Sequence, residues 1–92
     1  MESSLEKHLD DTMNVHGVVG VLAADQQGLC LGAKGNAQVK SAGAISGLSE
    51  AAKQISTDGQ TSPVVCIESD TCNVLIKSHD TVTMAIYKVA SY

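Results

Sequence analysis

Three cysteines, three histidines and a scatter of aspartates are the residues of this chain with chemistry to offer. A thiol enzyme needs a sulfur nucleophile beside a base that a third group orients. The candidates are Cys66 or Cys72, with His79 and either Asp70 or Asp80. Cys66 falls inside the run Val64-Val-Cys-Ile-Glu68, where burial among apolar neighbours raises a thiol's pKa and blunts its reactivity. Cys72 and His79 fall in turns at opposite ends of a strand at 74–77, so no triad is assembled. Cys30, Cys66 and Cys72 all read as inert structural thiols. Their uneven spacing fits neither a zinc pattern nor a disulfide framework. With a hairpin turning near 70–73, Cys66 lies opposite position 77 and too far from Cys72 to bridge. His8, His16 and His79 are scattered, and no catalytic residue, metal or cofactor is expected.

The other chemical candidate is a phosphate cradle. The stretch Val18-Val-Gly-Val-Leu-Ala-Ala-Asp-Gln-Gln-Gly-Leu-Cys-Leu-Gly-Ala-Lys-Gly35 places glycines at 28, 32 and 35 after an apolar run. A nucleotide fingerprint needs its glycines between a strand and the helix whose N-terminus meets the phosphate. Here Gly28 falls between two strands and Gly32 within the second. The first reading is a hairpin turn with a glycine near a strand end. A small-ligand or phosphate-binding sensor built on this hairpin stays as the alternative.

These candidates sit on a chain of 92 residues whose net charge is −4. That length predicts one domain spanning 1–92. With 43% apolar residues but no Phe or Trp, the core must be built from Val, Leu, Ile, Ala and Met. Such a core is thin, which favours help from a partner subunit. All of the cations are lysines and the overall charge is negative, which argues against a nucleic-acid groove and against a membrane-surface helix. The absence of arginine also excludes an arginine finger acting on a GTPase. No signal peptide, myristoylation site or apolar run long enough for a membrane span is recognised, so the chain reads as soluble and cytosolic.

The elements follow from periodicity. Leu5, Leu9 and Met13 recur every fourth residue behind Ser3 or Ser4, which suit an N-cap with Glu6 completing a capping box, and predict a helix over 4–14. The acidic scatter Glu2, Glu6, Asp10 and Asp11 reads as its solvated face. Strands follow at 18–24, buried on both faces, and at 29–33, joined by Asp25-Gln-Gln-Gly28. Ala42, Ile45, Leu48, Ala52 and Ile55 form an apolar stripe on a long helix over 39–55. Within it Gly43 and Gly47 are either tolerated by tertiary packing or a smooth strip where another backbone approaches. After a polar linker at 56–62, Pro63 opens a strand over 64–68. A strand at 74–77 returns, Ser78 to Thr81 turns again, and the last strand runs over 81–89, with Val82, Met84 and Ile86 on one face and Thr83, Ala85 and Tyr87 on the other.

This order, the hairpin turn at Asp25 to Leu29 and the long small-residue helix before a proline-led strand resemble a roadblock-type domain. Four separated segments, Leu5-Glu-Lys-His-Leu-Asp-Asp-Thr-Met13, Val19-Gly-Val-Leu22, Pro63-Val-Val-Cys-Ile-Glu-Ser-Asp70 and Lys77-Ser-His-Asp80, are similar to the small subunits of the Ragulator complex within that family. The resemblance implies an α+β fold, α-β-β-α-β-β-β, with an antiparallel five-stranded sheet, the long helix on one face and the short N-terminal helix on the other. It implies a dimerisation module with no enzymatic activity. The partner is another roadblock-type subunit, met edge to edge through Val64, Val65, Cys66 and Ile67 and helix to helix through Gly43, Ala44, Gly47 and Leu48. Independently, an unpaired apolar edge strand is an aggregation hazard unless something covers it. The family further implies a Ragulator-like assembly that anchors Rag GTPases at the cytosolic face of late endosomes and lysosomes for amino-acid signalling to the mTOR kinase complex. Membrane contact then comes only through partners, and a homodimer is an allowed state of the isolated chain. Many roadblock domains carry a third helix after the last strand, which is not seen before Tyr92, so that sheet face is either smaller or covered by a partner.

Overall fold

Apolar runs and alternating stretches, separated by turn chemistry, build five strands in this molecule, and apolar residues at helical spacing build two helices. The computed structural model describes residues 4–56 and 63–90. Helix α1 spans Ser4–Met13, strand β1 Val18–Ala24, β2 Cys30–Gly35, helix α2 Ala42–Lys53, β3 Val65–Glu68, β4 Cys72–His79 and β5 Val82–Val89. All five strands are antiparallel in one sheet of order β2-β1-β5-β4-β3, which leaves β2 and β3 at the borders. The expected capping residue Ser3 and the linker 57–62 lie outside the described residues.

Strand β1 lies between β2 and β5, inside the sheet, and is buried from Gly20 onward. Its side chains alternate between two cores, as the period of a strand requires. Leu22 and Ala24 join Ala42, Ile45, Ile76 and Ala85 under α2. Val21 and Ala23 join Leu9 on the opposite face, with Leu5, Met13, Val82, Met84 and Ile86 packed against them. The two faces expected for the last strand are the two faces observed, because Val82, Met84 and Ile86 turn toward α1 while Ala85 and Tyr87 turn toward α2. Helix α1 lies chiefly over β1 and β2, with side chains of β5 packed against its core, and α2 lies across β1, β3, β4 and β5.

Several boundaries move. Helix α1 ends at Met13, and the second strand begins at Cys30 and runs on to Gly35, so Leu29 belongs to the turn. The long helix is shorter than its apolar letters suggest: Val39–Ser41 form a 3-10 turn and α2 ends at Lys53. Its buried face is Ala42, Ile45, Ser46 and Ser49, whereas Leu48 and Ile55 are 41% and 80% exposed. The expected stripe therefore departs from the observed one after Ile45. Two serines are admitted to the core because their hydroxyls are satisfied: Ser46 Oγ donates to the Asp25 carbonyl at 3.1 Å, and Ser49 Oγ bonds Ser78 Oγ, which bonds Thr83 Oγ1 at 2.7 Å.

The last hairpin is also longer than expected. Strand β4 starts at Cys72 and includes His79, so the turn contracts to Asp80 and Thr81, with Asp80 in the left-handed region at φ 56°. Cys66 consequently pairs with Leu75 and not with position 77.

Candidate partner-binding surface

The two borders of the sheet are built differently. Strand β2 is blunted. Its register against β1 shifts between Ala23 and Ala24, producing a bulge that leaves Leu31 without a partner position. Lys34, on the same strand, is drawn over the sheet toward α1, where its ammonium meets Glu6 Oε1 at 2.8 Å and Asp10 Oδ1 at 3.3 Å. Hydrogen bonds donated to these two carboxylates, Glu6 first, hold the Lys34 pKa above the usual lysine value. Glu6, read as part of a capping box, and Asp10, read as part of the solvated face, also clamp the first helix to the sheet. A bulge and a lysine are recognised means of discouraging a foreign strand.

Strand β3 has none of these features. Ser69 N donates to the Cys72 carbonyl at 3.0 Å, and residues 69 and 72 are opposite each other in the register that pairs Val65 with Ile76. Antiparallel ladders alternate, so Ile67 and Val65 also direct their backbone polar groups into β4. Cys66 and Glu68 direct theirs outward, at the free border. The side chains follow the same parity. Val65 and Ile67 share the α2 face with Ile76, and Val65 is half-buried against the core under that helix. Ile67 is 42% exposed and Val64, just ahead of the strand, is 55% exposed.

Cys66 overturns its expected burial. It is exposed, because at the border its side chain points to the face that α1 does not reach. The other thiol candidates stay apart. Cys72 opens β4 opposite Val89, and His79 closes the same strand opposite Val82. His8 and His79 approach one shallow groove between α1 and the β4–β5 turn, together with Leu5, Val82 and Met84. Among the described residues, no group of three or more His, Cys, Asp or Glu side chains is placed to hold a metal ion.

Helix α2 supplies the second half of the surface. Gly43, Ala44, Gly47 and Leu48 are exposed on the side away from the sheet, and a Cβ placed on Gly43 or Gly47 would meet nothing within 4 Å. Neither glycine is required by packing inside this molecule. Helix α2 also reaches β3. Tyr87 lies below α2 on the same sheet face, and burial raises its pKa from the ordinary phenol value, an effect partly opposed by a hydrogen bond from Ser41.

The glycine-rich hairpin is explained by its own turn. Gly28 is left-handed at φ 87°, and the Asp25 carboxylate accepts hydrogen bonds from Gln27 N and Leu29 N, both at 2.9 Å. The amides that would cradle an anion are already held by a carboxylate, which would repel one.

Comparisons with known proteins agree with this architecture. Among solved structures, a roadblock/LC7 domain from Streptomyces avermitilis superposes with a TM-score of 0.78 at 18% identity, over 95% of this chain and 79% of that one. Myxococcus xanthus MglB gives a TM-score of 0.77 at 13% identity, again over 95% and 79%. At such identities the likeness is one of fold. Among sequence relatives, a protein described as a Ragulator complex protein LAMTOR5 homolog from Nematostella vectensis is 52% identical over 91 residues, covering 99% of this chain and 100% of that protein. Ragulator complex protein LAMTOR5 of Xenopus laevis is 50% identical with the same coverage. The family model for Ragulator complex protein LAMTOR5 matches residues 1–88. A roadblock fold joined to this extent of sequence likeness has one reading: the chain belongs to the Ragulator complex protein LAMTOR5 family.

Proposed function

We propose that this chain is a non-enzymatic scaffold subunit that pairs with another roadblock-type subunit inside a Ragulator assembly. The observation that carries the reading is the contrast between the sheet borders. One is bulged and guarded by an ion-paired lysine, and the other, Val65–Glu68, is regular in register, with Val65 and Ile67 apolar, and lies next to α2, whose exposed face carries Gly43, Ala44 and Gly47. A partner strand would satisfy the outward backbone groups of Cys66 and Glu68, and a partner helix would approach closely over Gly43, Ala44, Gly47 and Leu48. Val64, Val65 and Ile67 supply the apolar contact beside it.

Through its family, the assembly is read as holding Rag GTPases at the cytosolic face of late endosomes and lysosomes, for amino-acid signalling to the mTOR kinase complex. No helix among the described residues is long and apolar enough to cross a membrane, so membrane contact is assigned to the partners. The test is co-purification of the roadblock partner with two variants, Ile67→Asp at the strand border and Gly47→Glu on the helix. Ile67 is a better probe than half-buried Val65, whose loss would also disturb the core. Both variants are expected to fold and to lose the partner. Retention of the partner by both would refute the surface.

A further inference from the structure

We propose that a cleft at the end of the sheet where β1 begins and β5 ends binds a phosphate group. The cleft stands apart from the partner surface, with β4 between it and β3, and it uses no residue of the glycine-rich hairpin.

The first observation is a lysine without a counter-charge. Three of the six lysines are half-buried: Lys34, Lys53 and Lys88. Lys34 reaches Glu6 and Asp10, and Lys53 reaches Glu50 at 3.2 Å. Lys88 forms no ion pair among the described residues. A cation drawn partly out of water is costly unless an anion meets it. Its register neighbours, Val18 on β1 and Asn73 on β4, are both neutral. The aspartates of α1 are engaged elsewhere, Asp10 with Lys34 and Asp11 with Lys7.

The surroundings of Lys88 suit that missing anion. Lys88 lines a cleft of about 290 Å³ together with His16, Gly17, Val89 and Ala90. His16 is exposed, so its ring N–H is available to an occupant without disturbing the core. Gly17 leaves one wall without a side chain: it is left-handed at φ 87°, and a Cβ placed there would meet nothing within 4 Å. Backbone bonds fix the walls. Val89 N donates to the Gly17 carbonyl at 2.9 Å, Ala90 N to the Thr71 carbonyl at 3.1 Å, and Val18 N to the Val15 carbonyl at 3.1 Å. A site held this way needs little reordering to bind. Size and charge select the ligand. Pockets for drug-sized molecules begin at roughly 300 Å³, so this cleft suits a single phosphate group and not a whole nucleotide. An ammonium binds phosphate as a point charge, and a ring N–H beside it can donate to a second oxygen.

The experiment titrates the full, isotope-labelled chain with inorganic phosphate against chloride at matched ionic strength, following amide chemical shifts. Saturable shifts centred on residues 16–18 and 88–90 are expected. Lys88→Gln should weaken binding about tenfold or more, as for the loss of one hydrogen bond to a charged group. Lys88→Arg should retain binding, and His16→Gln, at an exposed position that the fold does not need, should weaken it. Lys77→Gln removes an exposed lysine of β4 and should leave affinity unchanged. Two further arms separate the sources of phosphate. Saturation by glycerol phosphate supports a soluble monoester, and co-sedimentation with phosphatidylcholine vesicles carrying phosphatidic acid, lost in Lys88→Gln, supports a lipid headgroup. Shifts that grow without saturating, that spread over all the lysines, or that survive Lys88→Gln would overturn the proposal. None of these results bears on co-purification with a roadblock subunit, so the function above keeps its own test.

Discussion

Lys34 Nζ lies 2.8 Å from Glu6 Oε1 across a separation of 28 residues, and this contact, with Asp10 at 3.3 Å, ties the first helix to a border strand of the sheet. Lys34→Ala should loosen α1 on β1 and β2 without altering the sheet. Hydrogen exchange should accelerate at α1 amides and leave β4 and β5 unchanged. The pH dependence has a definite sign. A lysine pKa raised in the folded state contributes stability that is fully present below the unfolded value of 10.5 and is lost as pH climbs through the folded one. Tyr87, whose neutral form is favoured by burial, acts in the same direction above 10.0. Alkaline titration followed by circular dichroism should show the gap between wild type and Lys34→Ala closing above that range.

On α2, Gly47 separates intrinsic stability from assembly. A methyl at this position meets nothing, so Gly47→Ala should stabilise the isolated chain by about 1 kcal/mol through helix propensity. Thermal melts would check this. In the same variant, affinity for the roadblock partner should fall, because the added carbon stands where the partner's backbone is expected. Gly47→Glu should abolish binding outright.

Beneath α2, the hydroxyls of Ser49, Ser78 and Thr83 form a buried chain. Ser78 is its middle member, so Ser78→Ala strands two hydroxyls at once and should cost about 1–3 kcal/mol. Ser49→Ala leaves the Ser78–Thr83 bond intact and should cost less. Denaturant unfolding of the two variants would rank them.

Cys66 is exposed, whereas Cys30 and Cys72 are half-buried. A maleimide added to the native chain should therefore modify Cys66 first. Addition of the roadblock partner should protect it, with mass mapping as the readout.

The letters carried the strand pattern well. Val82, Met84 and Ile86 alternate with Thr83, Ala85 and Tyr87, and a period of two leaves no other assignment of faces. Turn residues located the first hairpin, since Asp25 and Gly28 have local reasons to be there. The helix was legible only in part. Apolar letters at 39, 48 and 55 mark what a helix could bury, but some of that surface stays exposed, so α2 was drawn too long. Ser46 and Ser49 were hidden because a polar letter does not reveal the acceptor waiting for it across the fold. Their signal was phase: Ser46 falls four residues after Ala42, and Ser49 seven after Ala42 and four after Ile45, on the same helical face. Cys66 is misread, and Lys34 passed over, for a single reason. Whether a strand lies inside a sheet or at its border depends on the order of strands in space, which neighbouring residues do not encode.

That order also limits how large an assembly can grow. A sheet with two receptive borders could add subunits without end, as open-ended ribbons do. Here the bulge and the clamped lysine close one side, so a strand accepted on the other completes the count. On the proposed reading, lateral polymerisation is denied, and a scaffold assembled from such parts acquires a fixed stoichiometry at this joint.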